Sequence, residues 1–158
     1  MVAAEGNCIK VLHFLLQDIH CCLDLRYVEK ILPLPMLETI PGSPVYFVGL
    51  MNLKNSCVPV FDLAVSIGLV REQIYSLSIP ILLCSDGVHQ VGLIVDKVIG
   101  LGEICEEQIE IHEEFTEGHS PFLGAITLAA SVSLLMNIPW VFALKLTQEV
   151  HQCSVDHE

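Results

Sequence analysis

Two stretches of this 158-residue chain repeat one plan, and that repeat constrains the fold more than any other feature. "FVGLMNLKNSCVPVFDL" begins at Phe47, and "FLGAITLAASVSLLMNI" begins at Phe122. At one fixed offset Phe47 meets Phe122, Gly49 meets Gly124 and Leu53 meets Leu128. Val60 then meets Leu135, Asp62 meets Asn137 and Leu63 meets Ile138, without a gap. A slightly different offset pairs Leu23 with Leu93 and Val28 with Val98. Two copies are too few for a solenoid, whose units need several neighbours to bury their faces. They predict two similar β units about a pseudo-twofold axis.

Short strands account for most of the chain between Ile9 and Met136. Apolar runs of strand length occur at Ile9–Leu16 and Ile79–Ser85. Each leads into a polar turn, Gln17–His20 and Asp86–Gln90, the second with the Asp-Gly pair of a tight hairpin. Cys21–Leu32 and Val91–Leu101 read as the next strands. The connector after the first holds Pro33, Pro35, Pro41 and Pro44, which remove ladder donors and predict loop or edge. The connector after the second is acidic, with Glu103, Glu106, Glu107, Glu110, Glu113 and Glu114. Its Ile109 and Ile111 alternate with polar residues, as in a short edge strand. Asp62 and Asn137, matched by the repeat, both belong to residue types that cap the free N–H groups opening a helix. A short helix is therefore predicted after Asp62, stopped at Gly68. A longer one is predicted from Ile138 to about Glu149, with Pro139 in its first turn. The expected organisation is one domain over 1–150, built of two intertwined β subdomains, and a polar tail over 151–158.

From Ser120 to Leu144 there is no charged residue, which raises the question of a membrane span. Ser131 and Ser133 recur at strand spacing among Leu128, Val132, Leu134 and Leu135, so a buried strand pair leading into a helix is expected, with no membrane insertion. Hydrophobic residues make up 53% of the chain and charged ones 16%, against a usual charged share of about 25%. Such a chain buries much apolar surface or docks it on partners. With 7 Lys+Arg against 19 Asp+Glu, and a net charge of −12, it lacks the basic stripe that nucleic acid or an anionic membrane requires. The seven cysteines include no CxxC pair, and "MVAAEGNCIK" lacks a basic region followed by an apolar one. No signal peptide is expected, and a reducing cytoplasm with free thiols is.

Catalytic constellations are not found. There is no GxSxG elbow, and Ser43 sits in a turn between Gly42 and Pro44. Cys57, in a β run, is expected in the core. Neither a Walker loop nor GxGxxG occurs. The histidines, at 13, 20, 89, 112, 119, 151 and 157, form no HExxH and no i, i+4 pair. His20-Cys21-Cys22 places adjacent cysteines on opposite strand faces. The tail group His151, Cys153, Asp156 and His157 is too loose to specify ligand geometry, and the acidic connector reads as a solvated face. No catalytic residue, cofactor or metal is expected. Interaction chemistry remains, with a thiol-based sensor or small metal-binding protein as the alternative from another class.

At this point the residues resemble a known family. "CLDLRYVEKIL", "PGSPVYFVGLMNLKNSCVPVFDL", "VGLIVDKVIGL" and "FLGAITLAASVSLLMNI" are similar, in order, to the signature blocks of the CheW-like domain. That domain is the chemotaxis coupling protein and also the regulatory domain of the CheA kinase. The resemblance implies a mainly β fold of two five-stranded SH3-like barrels about a pseudo-twofold axis, with a short helix after the first hairpin block and a C-terminal helix. It implies a non-enzymatic cytoplasmic adaptor, associated with membrane receptor arrays. Its partners would be a chemoreceptor's cytoplasmic tip and a CheA-like histidine kinase regulatory domain, in flagellar chemotaxis or pilus-type motility. Gly49, Asn52, Leu53, Pro59, Asp62 and Leu63 stand as the family pattern expects, as do Gly92 and Asp96. The partner-binding set it implies is Val28, Lys30, Asn52, Leu53, Lys54, Gly92, Val95 and Asp96. Two positions depart: Lys54-Asn55 replaces the usual Arg-Gly, and Lys30 replaces the usual Glu. Lys keeps the charge of Arg without its bidentate fork, and Asn55 is expected to take the left-handed conformation of the missing glycine. A retuned partner, or a degenerate copy that sequesters one, would follow from these changes.

Overall fold

Alternating buried and exposed side chains build eleven strands in this computed structural model, which describes residues 7–112 and 120–144. The first half supplies β1 (Cys8–Leu16), β2 (Ile19–Asp24), β3 (Val28–Pro33), β4 (Phe47–Leu53) and β5 (Ser56–Asp62). A one-turn helix, α1 (Leu63–Ser66), closes it. The second half supplies β6 (Pro80–Ser85), β7 (Gln90–Ile94), β8 (Lys97–Cys105), β9 (Ile109–Glu110), β10 (Phe122–Thr127) and β11 (Val132–Met136). Residues 138–144 are helical (α2), and the remainder of the helix predicted to Glu149 lies outside the described residues, as does the tail.

Both long strands predicted from the sequence are broken in two. The Asp24 carboxylate accepts from the Arg26 N–H and turns the chain through Leu25–Tyr27, separating β2 from β3. In the second half the break falls at Val95-Asp96, where the Asp96 N–H donates to the Leu15 carbonyl at 2.9 Å. The polar turn predicted at Gln17–His20 is also tighter: Gln17 takes φ 58° and β2 has begun by Ile19. These breaks carry the chain from one sheet to the other.

One sheet has the order β8-β1-β2-β11-β10-β9, and the other β3-β6-β7-β5-β4. Each therefore contains strands from both halves, and the two orders become the same when repeat-equivalent strands are exchanged. The registers agree in detail. Val60 lies beside Gly92 in the parallel β5–β7 seam, and Leu135 lies beside Cys22 in the parallel β11–β2 seam. A bulge falls between Phe47 and Gly49, and its copy between Phe122 and Gly124.

The expectation of two five-stranded barrels is revised to open sheets of six and five strands, with no ladder closing either among the described residues. The difference in strand number is small. β9 pairs beside β10 at Glu110 and Ala125, and the equivalent place in the other sheet holds a single bridge, Glu38 to Leu50. Gly49 and Gly124 make both approaches possible. A Cβ on Gly49 would lie 2.7 Å from the Glu38 carbonyl oxygen, and one on Gly124 2.8 Å from that of Glu110.

Apolar packing is divided among three clusters. Met51, Val58, Val60, Ile81, Leu83 and Ile94 form a core on one face of the five-stranded sheet. Val11, Cys22, Ile104, Ile126 and Leu135 form another against the six-stranded sheet. The largest, around Phe14, Phe61, Leu82, Leu93 and Met136, joins the opposite faces of both sheets and takes in Val141 and Phe142 of α2. This packing absorbs the uncharged segment as β10, β11 and the start of α2. Among the described residues no helix is long and apolar enough to cross a membrane.

The cysteines differ from expectation at two places. Cys8 and Cys105, opposite one another on β1 and β8, are joined as a disulfide rather than free thiols. Cys57 is exposed rather than buried, because it sits at the start of β5 opposite Asn52, next to the hairpin turn and short of where the core covers the strand. Cys21 and Cys22 do face opposite sides, one in the shared core and the other in the six-stranded sheet's own cluster.

Candidate docking site

The β4–β5 hairpin projects Asn52, Lys54, Asn55, Ser56 and Cys57 into solvent, with Leu53 half-buried behind them. Its two-residue turn takes positive φ at Lys54 (56°) and not at Asn55, contrary to the sequence expectation. The first turn position, rather than the second, bears the left-handed conformation here, and a lysine there stands clear of the sheet without a glycine. Beside the hairpin, Met36–Ile40 of the connector, Leu50, Asn52 and Asn55–Cys57 line an open groove of about 740 Å³. Met36 is 94% exposed at its rim. Met36, Leu37, Ile40 and Leu50 make the wall largely apolar, exposed Glu38 puts an acid in it, and Lys54 stands at the hairpin tip outside the lining.

The other predicted partner-binding residues are spread more widely. Val28 is half-buried and Lys30 exposed on β3, the edge strand at the far end of the sheet from β4. Neither Lys30 nor Lys54 lines the groove, so the two charges do not meet there. Gly92 is buried on β7, where a Cβ would come within 3.1 Å of both Ile81 and Val60. Val95 is fully buried in the shared core. Asp96 is half-buried and already engaged.

Its partner is Arg71, a residue that the sequence reading did not single out. The Arg71 guanidinium donates to Asp96 through Nη1 (2.8 Å) and Nη2 (3.1 Å), and to the fully buried Asp62 through Nε and Nη2. Tyr75 Oη donates to Asp62 at 2.7 Å, and the Gln17 N–H donates to Asp96 at 2.9 Å. Asp62 also accepts from the Val65 N–H at 3.3 Å as the N-cap of α1. Donating to Asp96 and then to Asp62 raises the Arg71 pKa. Burial pushes the Tyr75 hydroxyl up, and its bond to Asp62 pushes it further. Burial acts to raise Asp96 as well, but the bonds from Arg71 and Gln17 outweigh it and hold the carboxyl below its usual range. The only sequence signal for this network was an isolated arginine four residues before a tyrosine, in a segment with no strand pattern. At Asn137, the other predicted cap, the main-chain carbonyl accepts from Val141 N–H, and the side-chain amide donates to the Ser120 carbonyl at 3.0 Å.

No three of His, Cys, Asp and Glu converge as metal ligands among the described residues; the tail group lies outside them. The fold and this surface define a duplicated, two-sheet β protein with a protruding polar hairpin beside an apolar groove. The chain belongs to the CheW-like domain family, whose pattern it matches over residues 10–145. It is 26% identical over 102 residues to the chemotaxis protein CheW of Thermotoga maritima, a match covering 65% of this chain and 66% of that one. It is also 26% identical over 101 residues to a probable chemotaxis protein CheW of Rhizobium etli, covering 64% of each. The chain thus spans about two thirds of the length of the curated relatives it matches. Its fold is similar to that of the scaffolding protein TtCheW from Thermoanaerobacter tengcongensis. The TM-score is 0.72 and the identity 25%, over 82% of this chain and 88% of that one.

Proposed function

We propose that this chain is a non-enzymatic cytoplasmic adaptor that couples a chemoreceptor tip to a CheA-like histidine kinase within receptor arrays. The observation that carries this reading is the family match over residues 10–145, which includes the exposed hairpin. In this reading each sheet, curled about its own core, acts as an SH3-like unit, and residues 1–150 form one domain of two intertwined units. The hairpin tip is well suited to contact and poorly suited to chemistry. Asn52 and Lys54 are exposed on a rigid two-stranded support, where docking groups are held at low entropic cost. Val28 and Lys30 present a second docking edge on β3, and Gly92, Val95 and Asp96 support the surface from within.

Lys30 and Lys54 place positive charge at both docking positions, so the complementary partner carries acid there. The test is titration of the purified chain against the receptor tip and the kinase regulatory domain from the native cell. Lys54→Glu should weaken one of these complexes at least about tenfold, the scale of a charge-paired contact, with an unchanged circular dichroism spectrum. Lys30→Glu with Lys54→Arg should also weaken it. Unaltered binding by Lys54→Glu would remove the hairpin from the interface, and a gain of affinity in the double variant would reject the acidic partner. Recovery of neither partner with the wild-type chain would reject the adaptor role itself.

A further inference from the structure

The two sheets share one plan, so a polar group that occurs in only one of them stands out. In the five-stranded sheet, Leu83 and Val58 are buried core residues. The repeat places His13 where the other sheet has Leu83, and Ser133 where it has Val58. His20 likewise takes the place of Gln90, and Gly102 that of Leu32. These exchanges are coordinated. A Cβ on Gly102 would lie 2.7 Å from His13 Nε2, so the glycine vacates the space the imidazole fills. His20 Nε2 lies 3.2 Å from His13 Nδ1, with the rings edge to face, and Ser133 Oγ lies 3.3 Å from the same nitrogen. Ser133 is fully buried and interacts in turn with Cys22.

The cluster spans a weak line in the sheet. β2 and β11 are joined in parallel through only the Leu134–Cys21 and Leu135–Cys22 register pairs. There the β1–β2 hairpin meets the β10–β11 hairpin of the other half. We infer that His13, His20 and Ser133 form a proton-responsive latch across this seam, closed when the histidines are neutral and released when they are protonated. With His13 neutral and Nδ1 unprotonated, its single lone pair faces both the His20 N–H and the Ser133 hydroxyl and accepts from either. A proton on His13 converts that acceptor into a donor. Once both rings carry the extra proton, each nitrogen of this contact is a donor, no acceptor is left between them, and like charges at this distance repel.

Among the described residues no carboxylate bears on that charge. β8 presents Gly100 and Gly102 along His13, with exposed Lys97 further on, opposite Leu15. β2 presents Cys22, whose thiol burial pushes up to about 11, and Asp24, which is paired with Arg26. β11 and β10 carry no charged residue. Burial, and secondarily His20, lowers the His13 pKa from 6.5. The folded chain therefore binds protons less readily than the unfolded one, and stability is lost as pH falls through 6.5 toward the folded value.

Residue-resolved amide exchange of the intact protein, corrected for intrinsic rates, tests the latch. Between pH 7.5 and 5.5 the protection of the Leu134 and Leu135 amides should fall at least about fivefold in the wild type, the direction set by a His13 that burial holds below its ordinary value. His20→Gln, which keeps a neutral N–H donor and copies Gln90, should reduce that fall to less than about threefold on the same scale. His13→Leu with Ser133→Val, which copies Leu83 and Val58, should abolish it. An equal fall in wild type and His20→Gln overturns the latch, whether or not the double variant folds. So does a His13 ring that titrates at or above 6.5 by NMR.

Discussion

Asp62 is the residue on which most depends. It is fully buried, caps α1 and receives both Arg71 and Tyr75. A buried carboxylate is tolerated only while paired and hydrogen-bonded. Arg71→Ala should therefore cost about 3–5 kcal/mol, the range for breaking a buried ion pair, seen as a lower urea midpoint. Arg71→Lys should recover only part of this, because a point charge cannot bridge two carboxylates with a fork. Asp96 makes a separate pH prediction. Its folded pKa lies below the ordinary 3.8, so the stability it contributes is complete above 3.8 and is lost as pH falls below that value. Asp96→Asn should flatten this acid limb of the stability curve while leaving the region near pH 6 unchanged, since that region belongs to His13.

At the scale of elements, the β4–β5 and β10–β11 hairpins owe their shape to the same glycine. Each has a bulge before it, and each admits a crossing segment that a side chain would block: residue Glu38 in one case and β9 in the other. Gly49→Ala and Gly124→Ala should each destabilise the chain by about 1–3 kcal/mol, as overpacking does, measured by thermal or urea unfolding. Gly49→Ala should in addition loosen the connector lining the groove, and its amide exchange near Glu38 should accelerate. Gly102→Ala would be a poor control for either, since it crowds His13 instead.

For the whole molecule, the decisive fact is that neither half owns a sheet. β1 and β2 lie between β8 and β11, and β6 and β7 lie between β3 and β5. Fragments cut in the exposed stretch between Gln73 and Ile74 should each be unstructured by circular dichroism. Mixed, they should recover the native spectrum. A fragment 1–73 that folds alone would contradict the exchange of strands. The same interlocking makes Arg71 a tie between halves, because Asp62 ends β5 and Asp96 follows β7.

The duplication, the strand-rich class, the hairpin at Lys54-Asn55, the cap at Asp62 and the family are all legible in the linear chain. Each of these depends on local periodicity or on residue types at fixed spacing, which a linear chain displays directly. It also exposed the departures Lys30 and Lys54. The tertiary structure decided which strands pair across the halves, since Cys22 beside Leu135 and Gly92 beside Val60 are contacts between distant segments. It alone broke the two long strands at Asp24 and Val95-Asp96, where the chain changes sheets. It alone brought Arg71 to Asp62 and Asp96, Cys8 to Cys105, and His13 to His20 and Ser133. The physical reason is common to all of them. A side chain's partner across a sheet or a loop is set by register and by which face it occupies. Register is fixed only when the apolar faces of both halves are buried together.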